Sequence, residues 1–402
     1  MCYNTVKEFR DNMAEKALGV NKIKKIRAKL FPASSRYFGQ EMSQIKADLK
    51  RISDENRRLQ ELIECQKWWL ESILKNQEVA IKKIDLYSTQ IYRNNGETNF
   101  DARARLFAAL PEATGVLALY QSVNTKLLRE LSDICIKNGL KYWLWSGSAV
   151  AVAARGKSIP WDDDIDICMM RDDFEKLKEK VKDSKEYQIS IVHDFLARNR
   201  QYRFVSKDPN IYNFVDIVVC DWCVSDDLKL DAEYKKLKRE MEEEFISRPD
   251  LGYWRDIKYF FNEGSSFTYQ YVPIDMNSHD QKRVNSLIPI IDEIFDEYMD
   301  KARDMKILCN EKKARAIAYG LDGLFNVPRR RDLWSRDIIF PTHMTTYEDI
   351  KVGMPHDEKR FCEICFPEWP YIPNDICNHS HIPEDVINDV DNILAMERFI
   401  KK

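Results

Sequence analysis

The chain has 402 residues, room for two or three domains of typical size, and its 63 Lys and Arg against 66 Asp and Glu leave a net charge of −3. That near balance excludes a dedicated nucleic-acid binder, which carries a large basic excess. At 44% hydrophobic and with only 12 glycines, the chain can bury a core and is neither collagen-like nor linker-rich. The balance is uneven along the chain. Lys16, Lys22, Lys24, Lys25, Arg27, Lys29 and Arg36 run without an intervening acid, and setting those seven charges aside leaves the remainder at −10.

Residues 1–38 therefore form a basic lead. Val20, Ile23, Ile26 and Leu30 recur in it at helical spacing, and Pro32 ends the pattern. A basic amphipathic helix suits adsorption to an anionic membrane face, while an ordinary solvated helix fits the same residues. Met1 to Arg10 has no apolar signal-peptide core, and no stretch approaches about 18 uncharged apolar residues. A cytoplasmic protein is expected, at the inner face of the cytoplasmic membrane if the lead adsorbs.

Residues 39–92 change style. Met42, Ile45, Leu49, Ile52, Asn56, Leu59, Ile63, Gln66, Leu70 and Ile73 alternate in steps of three and four, which is a heptad seam. Gln77, Ala80 and Ile84 extend it weakly, and the helix from Met42 to Ile84 would reach about 60 Å as a coiled-coil stalk of a homo-oligomer, with Asn56 at an a position favouring a parallel two-stranded register. A long helix folding back on the C-terminal body is the competing reading. Residues 93–125 read as a connector, opened by Asn94-Asn95-Gly96 and mixed with helix over 97–125, and 126–402 as one globular body. Within it, Thr125–Asn138 reads as an amphipathic helix capped by Asn124 or Thr125, with Gly139 closing it. A strand follows over Leu140–Trp145.

The strand runs into Ser146-Gly147-Ser148 and a helix-prone Ala149–Ala154. Strand, small-residue turn and helix N-terminus make an anion-binding arrangement, although many α/β turns share it. The next stretch is more specific. Ile159-Pro160-Trp161-Asp162-Asp163-Asp164-Ile165-Asp166-Ile167-Cys168 packs four carboxylates into five residues and continues as an apolar strand. Alternation on a strand puts Asp164 and Asp166 on one face. Like charges held side by side repel, and a hard divalent cation, Mg²⁺ or Mn²⁺, relieves the repulsion. A third carboxylate is expected from Asn213–Val219, where Asp216 is the single acid among apolar residues.

Of the ten cysteines, Cys220 and Cys223 end an apolar run, where packing or a turn is expected. Cys362, Cys365, Cys377, His379 and His381 have the ligand types for a structural Zn²⁺, but a helix turn with Cys362 and Cys365 on one face of an amphipathic segment is the favoured reading.

These residues resemble the LicD-type phosphotransferases, a family that includes fukutin and fukutin-related protein. The likeness is carried by Tyr142–Ser148, by Ile159–Asp166, by Asp216–Asp221, and by Ile339-Phe340-Pro341 with Tyr347-Glu348-Asp349 and Pro355. It implies a nucleotidyltransferase-like α/β (α+β) mixed sheet with flanking helices, here preceded by the coiled-coil helix. It also implies transfer of phosphocholine or a phospho-alditol from a CDP-linked donor to a glycan hydroxyl. In that reading Asp164, Asp166 and Asp216 are the catalytic, metal-binding set. Gly147, Ser148 and Arg155 grip the donor, although Arg155 lies one position beyond the family's basic residue. The basic cluster Arg329, Arg330, Arg331 and Arg336 is a further candidate for donor phosphate, with a solvated loop as the equal alternative. Transfer of the nucleotide itself and a non-catalytic coiled-coil scaffold are the alternatives.

Overall fold

The structure is a computed structural model and describes residues 32–257, 259–261, 278–323, 331–366, 369 and 389–401. It divides into residues 1–92 and 93–402. The basic lead falls outside the described residues up to Phe31. Helix α1 (Pro32–Tyr92) follows, 61 residues or about 90 Å at roughly 1.5 Å per residue. Pro32 takes the helix start, where its missing N–H costs nothing, and no further proline interrupts the element. The predicted seam is uncovered: Ile45, Leu49, Ile52, Leu59, Ile63, Leu70 and Ile73 are 47% to 60% exposed.

The second unit begins with α2 (Asn99–Ala108) and α3 (Gly115–Asn138). Helix α3 starts ten residues before the expected Thr125. Asn124 is no cap: it is buried inside the helix and donates from Nδ2 to the Asp163 carbonyl at 2.8 Å. Gly139 closes the helix at φ +66°, the left-handed conformation glycine adopts at little cost. Helix α2 and the start of α3 lie in the segment 97–125 read as mixed helix and connector.

Strand β1 (Tyr142–Leu144) leads to α4 (Ser146–Arg155), then β2 (Asp166–Met170), α5 (Arg171–Val181), β3 (Tyr187–Asp194), β4 (Asn199–Ser206) and β5 (Phe214–Cys223). Helices α6 (Leu228–Ser247) and α7 (Gly252–Ile257), strand β6 (Tyr259–Phe261) and α8 (Ser278–Asp304) come next. The chain closes with β7 (Ala316–Tyr319), β8 (Leu333–Ser335), α9 (Arg336–Ile339), the β9 (His343–Tyr347) and β10 (Ile350–Met354) hairpin, α10 (Glu358–Cys365) and α11 (Val390–Lys401). Among the described residues, eight strands form one mixed sheet in the order β1-β2-β5-β4-β3-β6, with β7 and β8 continuing from the far half of β5. Only β2 and β5 pair in parallel, and this α/β sheet with flanking helices is the architecture the sequence predicts.

Side chains alternate across the sheet. Tyr202 and Phe204 of β4 turn to one layer, where Phe174 of α5 meets Tyr202 with ring centroids 4.5 Å apart. A second apolar cluster joins Leu237, Met241 and Phe245 of α6 to Trp254 and to Phe295 of α8. Cys220 and Cys223 both lie within β5 and are buried, so packing is their role and no turn intervenes. Cys362 and Cys365 are buried on α10, and burial pushes the Cys362 thiol up. Cys377, His379 and His381 lie outside the described residues.

Strand β10 crosses directly over β1. A Cβ on Gly353 would sit 2.2 Å from the Tyr142 carbonyl oxygen, so only glycine fits. Gly353→Ala is expected to cost about 1–3 kcal/mol of stability in urea unfolding, as overpacking against backbone does. An unchanged midpoint would show that the two strands separate freely.

Candidate active site

The parallel pairing of β2 and β5 sets the register Asp166↔Asp216, and β4 adds Arg203 opposite Asp216. All three side chains thus share one face of the sheet. Asp164 precedes β2 rather than lying in it, because the strand begins at Asp166. Oxygens of Asp164, Asp166 and Asp216 nevertheless lie within 4.8 Å of one another, as do those of Asp162, Asp163 and Asp164.

Several bonds hold this loop and strand in place. Gln121 on α3 donates to the carbonyls of Ile159 at 2.9 Å and Asp162 at 2.7 Å. Asn124, one turn on, holds Asp163 and accepts from Asn213 Nδ2 at 2.8 Å, tying the loop to the start of β5. The Asp166 N–H donates to Ser148 Oγ at 2.9 Å, and the Asp216 N–H donates to the Ile165 carbonyl at 2.9 Å. The acidic run therefore reads as a braced loop and not as a solvated one.

Gly147 sits under this loop. A Cβ there would lie 3.0 Å from Asp162 Oδ2, so the small residue admits the carboxylate beside the N-terminus of α4, where backbone dipoles favour negative charge. Ser146 enters α4 at φ +52°, a conformation that costs a non-glycine residue about 1–2 kcal/mol. Backbone strain of this kind concentrates at functional turns.

The electrostatics follow from the crowding. Burial, then the neighbouring charges of Asp164 and Asp216, push the Asp166 carboxyl well above its ordinary range. Arg203 acts in the opposite sense. Its Nε donates to Asp216 Oδ1 at 2.8 Å, its guanidinium lies 4.2 Å over the Phe214 ring, and both partners of the ion pair are largely buried. Sequence reasoning passed over Arg203. Its signal was the alternation of polar Asn199, Gln201 and Arg203 with Arg200, Tyr202 and Phe204, on a strand pairing with the one that carries Asp216.

Other sequence candidates fall elsewhere. Arg155 donates from its guanidinium to the carbonyls of Phe107 at 2.6 Å and Leu110 at 2.9 Å, at the end of α2. It braces α2 against α4 in this structure. Arg329 lies outside the described residues, and Arg331 just inside their edge is half-buried. Arg336 is engaged with the Glu311 carbonyl at 2.9 Å and stacks 4.9 Å over Trp222.

Residues 139–246 match the LicD/FKTN/FKRP nucleotidyltransferase domain. Two uncharacterized proteins also align with part of the chain. One, from Rickettsia typhi, is 32% identical over 83 residues, covering 18% of this chain and 25% of its own length. The other, from Rickettsia prowazekii, is 28% identical over 102 residues, covering 22% of this chain and 36% of its own. The chain thus spans about a quarter to a third of the curated relatives it matches. The domain match runs from β1 through nearly all of α6 and takes in Gly147, Ser148, the acidic loop, Arg203 and Asp216. Residues 139–246 thus carry a domain similar to the nucleotidyltransferase domain of the LicD/FKTN/FKRP family.

Proposed function

We propose that the chain is a divalent-metal-dependent phosphotransferase. It moves a phospho-substituent, phosphocholine or a phospho-alditol, from a CDP-linked donor to a hydroxyl of a cell-surface glycan. The observation that carries this reading is the convergence of Asp164, Asp166 and Asp216 within 4.8 Å. Three hard oxygen donors from a braced loop and two paired strands suit Mg²⁺ or Mn²⁺, which would offset negative charge that burial and the neighbouring carboxylates disfavour at Asp166. A cation held there supplies charge neutralisation to a bound pyrophosphate.

The chain's own residues do the rest. Arg203 holds Asp216 in one orientation and offsets part of the anionic charge. Gln121, Asn124 and Ser148 fix the loop, so the carboxylates do not reorganise as charge develops during transfer. Asp216 is the candidate to hold the third metal position or to accept the acceptor hydroxyl's proton. Gly147 gives the Asp162 carboxylate its place beside the first turn of α4.

Product mass tests the reaction class. With a CDP-linked donor and a glycan acceptor, release of CMP and a gain of the phospho-substituent on the glycan are expected. A nucleotide-bearing acceptor would instead establish nucleotidyl transfer.

The occupant we assign to the seam of α1 is a second copy of the chain in parallel register. Glu41 and Lys46 fall at g and e positions flanking the a residue Met42, where they attract across two parallel helices, and Asn56 pairs with its own counterpart. Light scattering on the full chain is expected to give twice the monomer mass. Ile52→Lys with Ile63→Lys should return it to monomer, because two charges in an apolar seam lack partners. A wild-type monomer at micromolar concentration would refute the assignment.

A further inference from the structure

Helix α3 turns three polar residues toward the acidic loop. Gln121 and Asn124 grip its main-chain carbonyls, and Tyr120 stands one turn before Asn124 on the same side of the helix. The backbone of Tyr120 is fixed in place. Its carbonyl accepts from Asn213 Nδ2 at 3.0 Å, at the residue before β5, and the same nitrogen reaches Asn124 Oδ1 at 2.8 Å. The ring belongs to the main apolar core, and only 2% of the residue is exposed.

The hydroxyl at the end of that ring is the anomaly. It is buried and has no hydrogen-bond partner among the described residues. The charges that act on it are those of Asp163, Arg203, Asp164 and Asp216, which places it beside the carboxylate cluster. Burial, then the Asp163 charge, push the phenol well above its ordinary range, so the oxygen keeps its proton and can donate. Packing alone does not explain a tyrosine here. Phenylalanine fills the same space, and a buried hydroxyl without a partner destabilises a fold.

We propose that Tyr120 is a positioning residue of the metal centre, whose hydroxyl donates to the loop carboxylates, Asp163 and Asp164, as a divalent cation draws them together. The inference rests on the metal-dependent reading above and deepens it. A carboxylate that gives one oxygen to a cation turns the other toward a donor, and such donors set the orientation of the ligand. Arg203 has that role at Asp216. On the loop side Gln121 and Asn124 hold main-chain carbonyls, and Tyr120 adds a side-chain donor from the same helix.

Tyr120→Phe removes the oxygen and keeps the ring. Mn²⁺ is the probe, with affinity read by calorimetry and stability by thermal unfolding in EDTA and in Mn²⁺, all on the full chain. In EDTA the variant is expected to melt at the wild-type temperature or a few degrees above it, since an unpartnered buried hydroxyl is gone. Its Mn²⁺ affinity is expected to fall about tenfold or more, the usual loss when a donor behind a metal ligand is removed. The stabilisation given by a fixed Mn²⁺ concentration should shrink with it. A Mn²⁺ affinity within about twofold of wild type overturns the inference and leaves the metal centre standing. So does a variant that melts lower by the same amount with and without the cation, because the hydroxyl is then structural. Wild type that binds no Mn²⁺, or binding that survives Asp164→Asn plus Asp166→Asn, overturns the metal-dependent reading itself and this inference with it.

Discussion

Asp164→Asn combined with Asp166→Asn is expected to lower metal-dependent nucleotide release by about three orders of magnitude, ~4 kcal/mol of transition-state stabilisation. The fold should survive. Asp166 is already penalised by burial and by the charges of Asp164 and Asp216, so neutralising two of the three acids relieves repulsion that the apo protein has to bear. The melting temperature is therefore expected to hold or to rise by a few degrees, as at functional sites that trade stability for activity. The two readouts move independently. A loss of activity accompanied by unfolding would assign these carboxylates a structural role. Full activity would favour a scaffold that has kept the fold.

Asp322→Ala should produce the largest loss of stability, about 3–5 kcal/mol in urea unfolding. The carboxylate is fully buried and accepts from Arg171 at 2.7 Å, Arg200 at 2.8 Å and Tyr202 Oη at 2.7 Å. Arg171 also forks onto Asp221 at 2.7 and 2.8 Å, so the network ties β5, α5 and β4 to the turn after β7. Gly320 is required beside it, because a Cβ there would meet Asp322 Oδ1 at 2.6 Å and Arg171 at 2.8 Å. Burial alone would raise the Asp322 carboxyl, but Arg171 and Arg200 hold it well below the ordinary carboxylate range. A depressed folded-state value stabilises the protein above the unfolded value of about 3.9 and is lost as pH falls below it. Wild type should accordingly lose stability steeply below about pH 4, and Asp322→Ala should lose less over the same interval. A destabilisation under about 1 kcal/mol would mean that the arginines find other partners.

The carboxylate cluster was legible in sequence because its chemistry is local. Four acids in five residues followed by an apolar strand have few explanations, and Asp216 stands alone in its own strand. Helix α1 was legible for a similar reason, since a repeat of three and four needs no knowledge of the rest of the chain. What escaped depends on pairing between distant segments. Arg203 became meaningful only when β4 set it opposite Asp216, 13 residues along the chain. Gln121 and Asn124 reach loop residues about 40 positions away, so their segment looked like connector and cap until the loop was in place. Arg155 shows the converse. The family resemblance offered it to phosphate one position out of register, and the carbonyls that end α2 take up its guanidinium. The Asp322 network, spanning 151 residues from Arg171, left no pattern that a linear scan could catch.

The most direct measurement is CMP release from CDP-choline, CDP-ribitol and CDP-glycerol, each with a membrane-derived glycan acceptor, in Mg²⁺ and again after EDTA. At least one donor is expected to release CMP with Mg²⁺, to stop with EDTA, and to stay silent with Asp164→Asn plus Asp166→Asn. Nucleotide release that ignores EDTA or the double substitution, or no release from any donor, would contradict a metal-dependent phosphotransferase centred on Asp164, Asp166 and Asp216.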